Sequence, residues 1–235
     1  MNQHDHLEKF ISAWLTNYRA TEKTIYCREH CSGCCHLAVH ATYPEAVAVA
    51  EGLTGAQSKK LADYIERLKV ALTELTDLKS YLKRHRQELG PCPFLDGHGA
   101  CSIYPTRPLS CRALLSTRPA VWCTVDFSKL DRWDKQAYES SLDRQVVAWP
   151  THFVAATQDF GRELENTLLE LMRKEKGWSL SGNFAVMVWL EKNNQMSKHH
   201  IATTQQVRDI LTAYELNNHL LLNLTGGNQD TMSAQ

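Results

Sequence analysis

The sequence has no excess of either charge and no long apolar run. Basic residues (Lys and Arg) and acidic residues (Asp and Glu) number 26 each among 235 residues, so the formal net charge at pH 7 is zero. This balance argues against nucleic acid as a partner, because proteins that bind phosphate backbones normally present a basic face. No stretch approaches the roughly 20 apolar residues that a membrane span needs, and no secretory leader is visible. We therefore expect a soluble, cytoplasmic protein that binds neither nucleic acid nor membrane.

The chain also lacks a series of strands alternating with helices, and its apolar residues follow the helical period instead. They recur at three- and four-residue spacing over 6–18, throughout 56–86 and again over 153–172, which predicts three helices. The second is expected to be one long, uninterrupted helix that Gly90 ends, with a stripe of core residues along it. Pro150 is expected to start the third helix.

Shorter elements are expected between and after these helices. The spacing predicts a short strand over 37–41, a helix over 46–53 and a tight turn over 96–99 between two extended pieces. Thr203 and Gln206 form a plausible capping box for a last helix.

These patterns predict a mainly α protein. We expect a helical domain with short strands and an inserted loop region rich in Cys, Pro and Gly, a composition that is typical of metal-binding loops. Residues 1–130 would form a cysteine-cluster metal-binding domain with N-terminal helices. A helical C-terminal region over 131–224 would pack on it, and 225–235 would be a disordered tail.

The eight cysteines form two groups that are far apart in the sequence. In a reducing cytosol, clustered thiols are metal ligands or redox groups more often than structural disulfides. The first group lies in a Gly- and Ser-containing segment, and the second lies in a segment rich in Pro and Gly. The first contains Cys27, Cys31, Cys34 and Cys35, and the second contains Cys92, Cys101 and Cys111, with Cys123 as a more distant candidate.

All-cysteine sites select zinc or iron–sulfur clusters over magnesium or calcium, because thiolates are soft ligands. Four ligands complete a tetrahedral zinc site or a cubane cluster, so eight thiols are enough for one centre or for two. Cys34 and Cys35 are adjacent in the sequence, so their side chains should point in different directions. Either they bind different metals, or one of the two thiols is not a ligand. Gly33 allows backbone angles that other residues resist.

Both groups match the motifs of a known family. The segments Cys27–Cys35 and Cys92–Arg112 contain a Cys-x2-Cys-Cys cluster, then Cys-Pro-Phe-Leu, Cys-x-Ile-Tyr and Arg-Pro-x-x-Cys-Arg. In these motifs, over a little more than a third of the chain, the sequence resembles the cysteine-cluster family, which is described as zinc- or iron-chelating. The resemblance implies a chelating set of seven: Cys27, Cys31, Cys34, Cys35, Cys92, Cys101 and Cys111. Cys123 lies outside the part that can be aligned, which leaves its role open.

Arg107 and Arg112 flank Cys111, and the family's motif includes both arginines. A centre with four thiolates carries about two negative charges, which nearby guanidinium groups would offset while donating hydrogen bonds to sulfur. The alternative is an ordinary surface ion pair, which contributes little. We expect both arginines to lie next to the ligands, where they would offset the negative charge and donate hydrogen bonds to sulfur.

His30, His36 and His40 lie beside the first group, and imidazole is a good zinc ligand. Because enough thiols are available, none of the three is required, and we expect solvated or core histidines. His98 falls in the predicted turn and is expected to be exposed.

The sequence therefore predicts a protein that chelates zinc or an iron–sulfur cluster, with its biological role open. One alternative is an iron–sulfur enzyme that uses S-adenosylmethionine and is protein-modifying and methylase-like. The triad Cys27-x3-Cys31-x2-Cys34 has the spacing of radical S-adenosylmethionine enzymes, but those enzymes usually place it after the first strand of a partial α/β barrel. Another is a zinc-folded module that presents a helical face to a protein partner.

Overall fold

The computed structural model describes residues 2–73 and 75–226, which form ten α-helices and one small sheet. This confirms the prediction of a mainly α protein with short strands. The helices are α1 (Gln3–Arg19), α2 (Tyr43–Gly52), α3 (Gly55–Leu72), α4 (Leu78–Arg84), α5 (Leu109–Ala113), α6 (Val121–Thr124), α7 (Arg132–Ser140), α8 (Ala155–Lys176), α9 (Phe184–Asn194) and α10 (Thr204–Ala213).

The sheet has three antiparallel strands in the order β1 (His40–Thr42), β2 (Trp178–Asn183) and β3 (Leu222–Gly226). The sequence analysis did not predict β2. Trp178 and Leu180 alternate with Ser179 and Ser181, but the pattern is only four residues long and is followed by Gly182 and Asn183, which are uncommon in strands. The sheet pairs a strand before residue 130 with two strands after it. The boundary between the two proposed regions remains a prediction.

The main core lies between α2, α3, α9 and the sheet. On α3 the side chains of Leu61, Ile65 and Leu68 are fully buried, which confirms the first part of the predicted stripe. On α9 nearly every residue over 184–191 is buried, so this helix is apolar on all sides. A smaller core joins α1, α5 and α8 and fixes the helix that carries Cys111.

The long helix predicted over 56–86 is wrong, because the chain leaves the helical path after Leu72. A new helix starts at Leu78, where the Asp77 carboxylate accepts a hydrogen bond from the Ser80 amide and caps the free end. Leu78 is 57% exposed, so the predicted core stripe does not extend along this second helix. A π-helical turn, His85–Leu89, then leads toward Cys92.

The prediction that Pro150 starts a helix is also wrong. Val147 pairs with Val154 in an isolated antiparallel bridge, and the Ala148 amide donates to the Phe153 carbonyl at 2.8 Å. These bonds hold residues 147–154 in a closed loop, so α8 begins only at Ala155.

Other local predictions are confirmed. The helical pattern over 6–18 lies within α1, and the helix predicted over 46–53 largely coincides with α2. The Thr203 and Gln206 capping box starts α10. The strand predicted over 37–41 is β1, displaced by a few residues toward the C-terminus.

Over the described residues, no helix is both long enough and apolar enough to cross a membrane. β3 ends at Gly226, so only the first two residues of the tail predicted over 225–235 fall in the described part of the chain. The rest of that predicted tail lies outside it.

Candidate metal centre

The first cysteine group occupies the loop between α1 and β1. The Cys31 amide donates to the Arg28 carbonyl, and the Cys35 amide donates to the Ser32 carbonyl at 3.0 Å. These bonds lead into one 3-10 turn, Gly33–His36. The turn folds the chain back on itself, so that thiols close in sequence face a common space.

The second group is placed by a tight turn and by a short helix. The Asp96 carboxylate accepts hydrogen bonds from the amides of His98 and Ala100, which closes the predicted turn. Cys101 pairs with Leu95 across this turn in an antiparallel bridge. Cys111 lies in the middle of α5.

A backbone hydrogen bond joins the two groups directly. The Cys92 amide donates to the Cys35 carbonyl at 2.8 Å, although the two residues are far apart in the sequence. The thiol-bearing segments around this bond enclose a cavity of about 630 Å³. Seven cysteines line it: Cys27, Cys31, Cys34, Cys35, Cys92, Cys101 and Cys111. The structure therefore brings together every cysteine of the predicted chelating set.

Buried polar and close-packed contacts fix α5 at the wall of this cavity. The buried Glu45 carboxylate accepts a hydrogen bond from the Leu109 amide at 2.7 Å, at the first residue of the helix. On the other side, a Cβ built on Gly161 would come within 2.9 Å of the Ala113 Cβ, so only glycine lets α8 approach this closely. These contacts hold Cys111 in a fixed position.

Arg112 is buried and holds the surrounding chain together. Its guanidinium donates to the Arg107 carbonyl at 2.9 Å, to the Glu8 carboxylate at 2.6 Å and to the Pro105 carbonyl. These bonds tie α1 and the 105–107 loop to α5. The charge of Arg112 also lowers the pKa of Cys101 slightly, against the larger effect of burial.

Arg107 faces the thiols more directly. Its guanidinium stacks on the Tyr104 ring at 4.1 Å from the ring centroid, and its Nε atom is buried with no hydrogen-bond partner. Its positive charge opposes the rise in the pKa of four thiols: Cys27, Cys34, Cys101 and Cys111. An unsatisfied buried N–H beside sulfur atoms is the arrangement that a thiolate acceptor would complete.

Burial makes the thiols weak acids. It raises the pKa of Cys92 to about 12 and raises the pKa of Cys111 well above its ordinary value. Repulsion from Cys92, Cys34 and Cys101 raises the pKa of Cys111 further. For Cys34 the largest cause of a raised pKa is its hydrogen bond with Cys35, followed by burial. These thiols cannot all ionise together unless a cation compensates their charge.

The donor set fits a soft metal, since seven sulfur ligands border one space. Among residues 2–73 and 75–226, no three Cys, His, Asp or Glu side chains already lie close enough together to hold a metal ion. Thiols are carried on a single rotatable bond, and a change of χ1 rotamer shifts Sγ by about 3 Å. The assignment of the seven cysteines as ligands remains a prediction.

The histidines near the first group take different positions. His30 and His98 are exposed, as expected for His98 in its turn, and His40 is an exposed residue of β1. His36 is partly buried, and its Nδ1 atom has no hydrogen-bond partner.

Two other polar groups near the cavity were not among the predicted site residues. His152 contacts Cys123 with its Nε2 atom 3.4 Å from the sulfur, yet no motif links the two residues. Glu165 lines the cavity wall on α8, and one of its carboxylate oxygens is buried without a partner. Burial, and then the charge of Glu45, raise the pKa of Glu165 to about 8. A glutamate next to Leu164 and Leu168 on an apolar helix face was the available hint.

Residues 26–138 match the model of the CxxCxxCC family, which is described as "Putative zinc- or iron-chelating domain". The match contains all eight cysteines, including Cys123, and ends within α7. No curated protein and no solved structure matches the chain.

Proposed function

Since residues 26–138 give this chain a domain of the CxxCxxCC family, we propose that it binds zinc or iron through thiolates of both cysteine groups. One observation carries this proposal: all the cysteines of the two groups line a single cavity. The ligands are proposed to come from the seven cysteines that line it: Cys27, Cys31, Cys34, Cys35, Cys92, Cys101 and Cys111.

The electrostatics of the cavity support this proposal. Burial and repulsion from neighbouring thiols raise the pKa of Cys92 and Cys111 and so favour their protonated forms. A cation reverses this preference, because it replaces the protons and compensates the negative charge of the thiolates. Metal uptake by this cavity is therefore expected to release protons to the solvent.

Residues around the thiols would prepare the site for a charged centre. Arg107 brings a positive charge and an unsatisfied N–H, while the Ser116 amide already donates to the Cys27 sulfur at 3.1 Å. Such donors stabilise sulfur that carries negative charge. When bound, zinc would supply a cross-link or a Lewis acid, and an iron–sulfur cluster would supply electron transfer.

The fold favours a metal-binding domain over the S-adenosylmethionine alternative. Radical S-adenosylmethionine enzymes, whose triad spacing this sequence shares, usually carry the triad after the first strand of a partial α/β barrel. Here the triad follows α1, and the strands of the described residues are three in number and antiparallel. Their arrangement lacks the parallel pairs from which such a barrel is built.

The test is the metal and acid-labile sulfide content of the full chain, purified without oxygen, together with its visible spectrum. About four irons with matching sulfide per centre would identify a cubane cluster, and zinc without iron would identify a zinc site. The Cys101→Ser variant should lose metal, whereas Ser12→Ala, on an exposed position of α1, should keep it. Wild-type protein without metal, or full metal content in Cys101→Ser, would contradict the proposal.

A further inference from the structure

Behind the turn Gly33–His36, a cysteine and a histidine are in direct contact. Cys123, on α6, lies with its sulfur 3.4 Å from the Nε2 atom of His152. Both side chains are almost fully buried, with 6% and 3% of their surface exposed. Neither lines the cavity described above, so the function proposed for that cavity leaves this pair unexplained.

The other nitrogen of His152 is also engaged. Its Nδ1 atom lies 2.9 Å from the hydroxyl oxygen of Tyr138, on α7. When Nδ1 carries the ring proton, it donates to this oxygen and the lone pair of Nε2 faces Cys123. Histidines that bind metals almost always use their second nitrogen in this way, because the bond fixes the tautomer and the ring orientation.

The distance between the two donor atoms suits zinc. Zinc lies about 2.3 Å from sulfur ligands and about 2.0–2.1 Å from nitrogen ligands, in tetrahedral geometry. Those bond lengths and angles place a sulfur and a nitrogen ligand about 3.5 Å apart. The 3.4 Å between Cys123 and His152 is close to that edge of a zinc tetrahedron.

The loop that carries the first cysteine group packs against this pair. The Ser116 amide donates to the Cys27 sulfur at 3.1 Å, and the Ser116 side chain opposes the rise in the pKa of Cys123, so both thiols lie near Ser116. A Cβ built on Gly33 would come within 3.0 Å of the Cys123 Cβ, so the turn that follows Cys31 packs directly on Cys123.

We propose that this corner of the molecule is a second metal site, which takes zinc through three thiolates and one imidazole: Cys27, Cys31, Cys123 and His152. Three cysteines and one histidine are an established closed ligand set for structural zinc. The proposal rests on the metal-binding function proposed above, and it leaves four thiols for the cavity centre: Cys34, Cys92, Cys101 and Cys111. Cys35 is then the neighbour of a ligand and not a ligand itself.

Only the pair from Cys123 and His152 is already in place, since no three donors of the described part are close enough together to hold a metal. The proposal requires the partly exposed Cys27 and Cys31 thiols to rotate about χ1 toward the pair when zinc binds. Binding replaces the proton of each thiol by a bond to zinc, so the protons leave to solvent and no oxidant or reductant is needed.

The first experiment measures zinc per chain after metal-free full-length protein is reloaded with zinc alone. Wild type should take up two equivalents, while Cys123→Ser and His152→Gln should each take up one. Cys101→Ser should lose the other equivalent, and His98→Gln, in an exposed turn, should keep both. Two equivalents in both Cys123→Ser and His152→Gln would show that the pair is only a structural hydrogen bond and would overturn the proposal.

X-ray absorption at the zinc edge tests the same site without depending on how the Cys123 and His152 variants fold. Zinc in Cys101→Ser should show three sulfur ligands and one imidazole, and wild type should also show an imidazole contribution. All-sulfur coordination in wild type would overturn the proposal. The two proposals fail separately: a wild type that holds neither iron nor zinc when purified without oxygen, and takes up no zinc, refutes metal binding itself, whereas a single all-sulfur zinc equivalent refutes only the second site.

Discussion

The main core and the cysteine region are held together in different ways. In the main core, all six residues of β2 are buried, and α9 buries nearly every residue over 184–191. In the cysteine region, Gly33 is the only buried residue over 27–36, and α5 and α6 have five and four residues. The core has the apolar surface that stabilises a fold by itself, whereas the cysteine loops have little.

This contrast has an energetic consequence. Full burial of a Leu or Ile side chain contributes about 1.5–3 kcal/mol, so the core gains stability from many independent contacts. Helices of four or five residues do not persist without tertiary support. The bonds that hold the cysteine loops are few, such as the Cys92 to Cys35 backbone bond and the contacts of Arg112. A bound metal would supply the missing stabilisation.

Removal of the metal should produce the largest effect and should be confined to one region. Structural zinc in small domains contributes about 10–16 kcal/mol to folding, so its loss should leave the 27–36 and 92–124 segments without their main support. Amide hydrogen exchange, measured with and without chelator, should speed up strongly in these segments. The amides of β2 and α9 should stay protected, because apolar burial holds them.

A uniform increase in exchange would contradict this contrast, because it would mean that the metal supports the whole fold. If amide exchange does not change although the metal has been removed, the metal has no structural role. Re-addition of zinc or of iron and sulfide should restore protection in the same segments.

The next prediction concerns a substitution that destabilises the main core and should not affect metal binding. Leu190, on α9, is completely buried, so Leu190→Ala should lower the free energy of unfolding by about 2–5 kcal/mol. Metal content per folded chain should not change. Leu171→Ala, at a position of α8 that is 46% exposed, is the matched control and should cost much less. A urea titration followed by circular dichroism measures both.

The sequence predicted correctly the helices that have one buried face and one solvent-exposed face. Such faces produced the correct assignments of α1 and the first part of α3. β2 was missed because its alternation of apolar and polar residues covers only Trp178 to Ser181, too short a run to stand out before Gly182. The break after Leu72 was missed because the apolar spacing continues into α4. The spacing of apolar residues does not show that a new helix starts after Asp77. The hydrogen bond from the Ser80 amide to the Asp77 carboxylate shows it.

The site was predictable to the extent that it resides in short motifs. The grouping of the cysteines and the family's motifs indicated the set that lines the cavity. That the groups meet depends on the Cys92 to Cys35 bond, which is long-range in sequence. The contact of His152 with Cys123 depends on the loop over 147–154, and the unpartnered oxygen of Glu165 depends on the packing of α8. None of these three features can be predicted from the spacing of residues in one sequence.

The third prediction concerns the one carboxyl of the cavity wall with a strongly raised pKa. The pKa of Glu165 is about 8 in the folded protein, against 4.5 ordinarily. As the pH rises, this carboxyl therefore loses its proton in the unfolded chain before it does so in the folded protein. Ionisation of this group therefore destabilises the fold progressively between pH 4.5 and pH 8. Glu165→Gln removes that penalty and can still accept the hydrogen bond from the Ser110 amide.

Urea titrations of metal-loaded protein at pH 5.5, 7 and 8 test this prediction. The advantage of Glu165→Gln over wild type should grow with pH and reach at most about 3 kcal/mol at pH 7. Glu163→Gln, at an exposed position of α8, should show no comparable trend. An advantage of Glu165→Gln that is constant with pH would mean that the ionisation of Glu165 is not its cause.

The smallest expected effect comes from Gly33, where the cysteine region packs most tightly. A Cβ at this position would lie 3.0 Å from both the Ala120 carbonyl oxygen and the Cys123 Cβ, so Gly33→Ala must push α6 away from the turn. We expect a loss of about 1–3 kcal/mol in the free energy of unfolding and weaker zinc binding, measured by competition with a coloured chelator. Gly52→Ala, at the end of α2 with no atom within 4 Å of the added Cβ, is the matched control. It should be neutral or stabilising by up to about 1 kcal/mol. If Gly33→Ala weakens folding without weakening zinc binding, the turn only packs against Cys123 and does not position the ligands beside it.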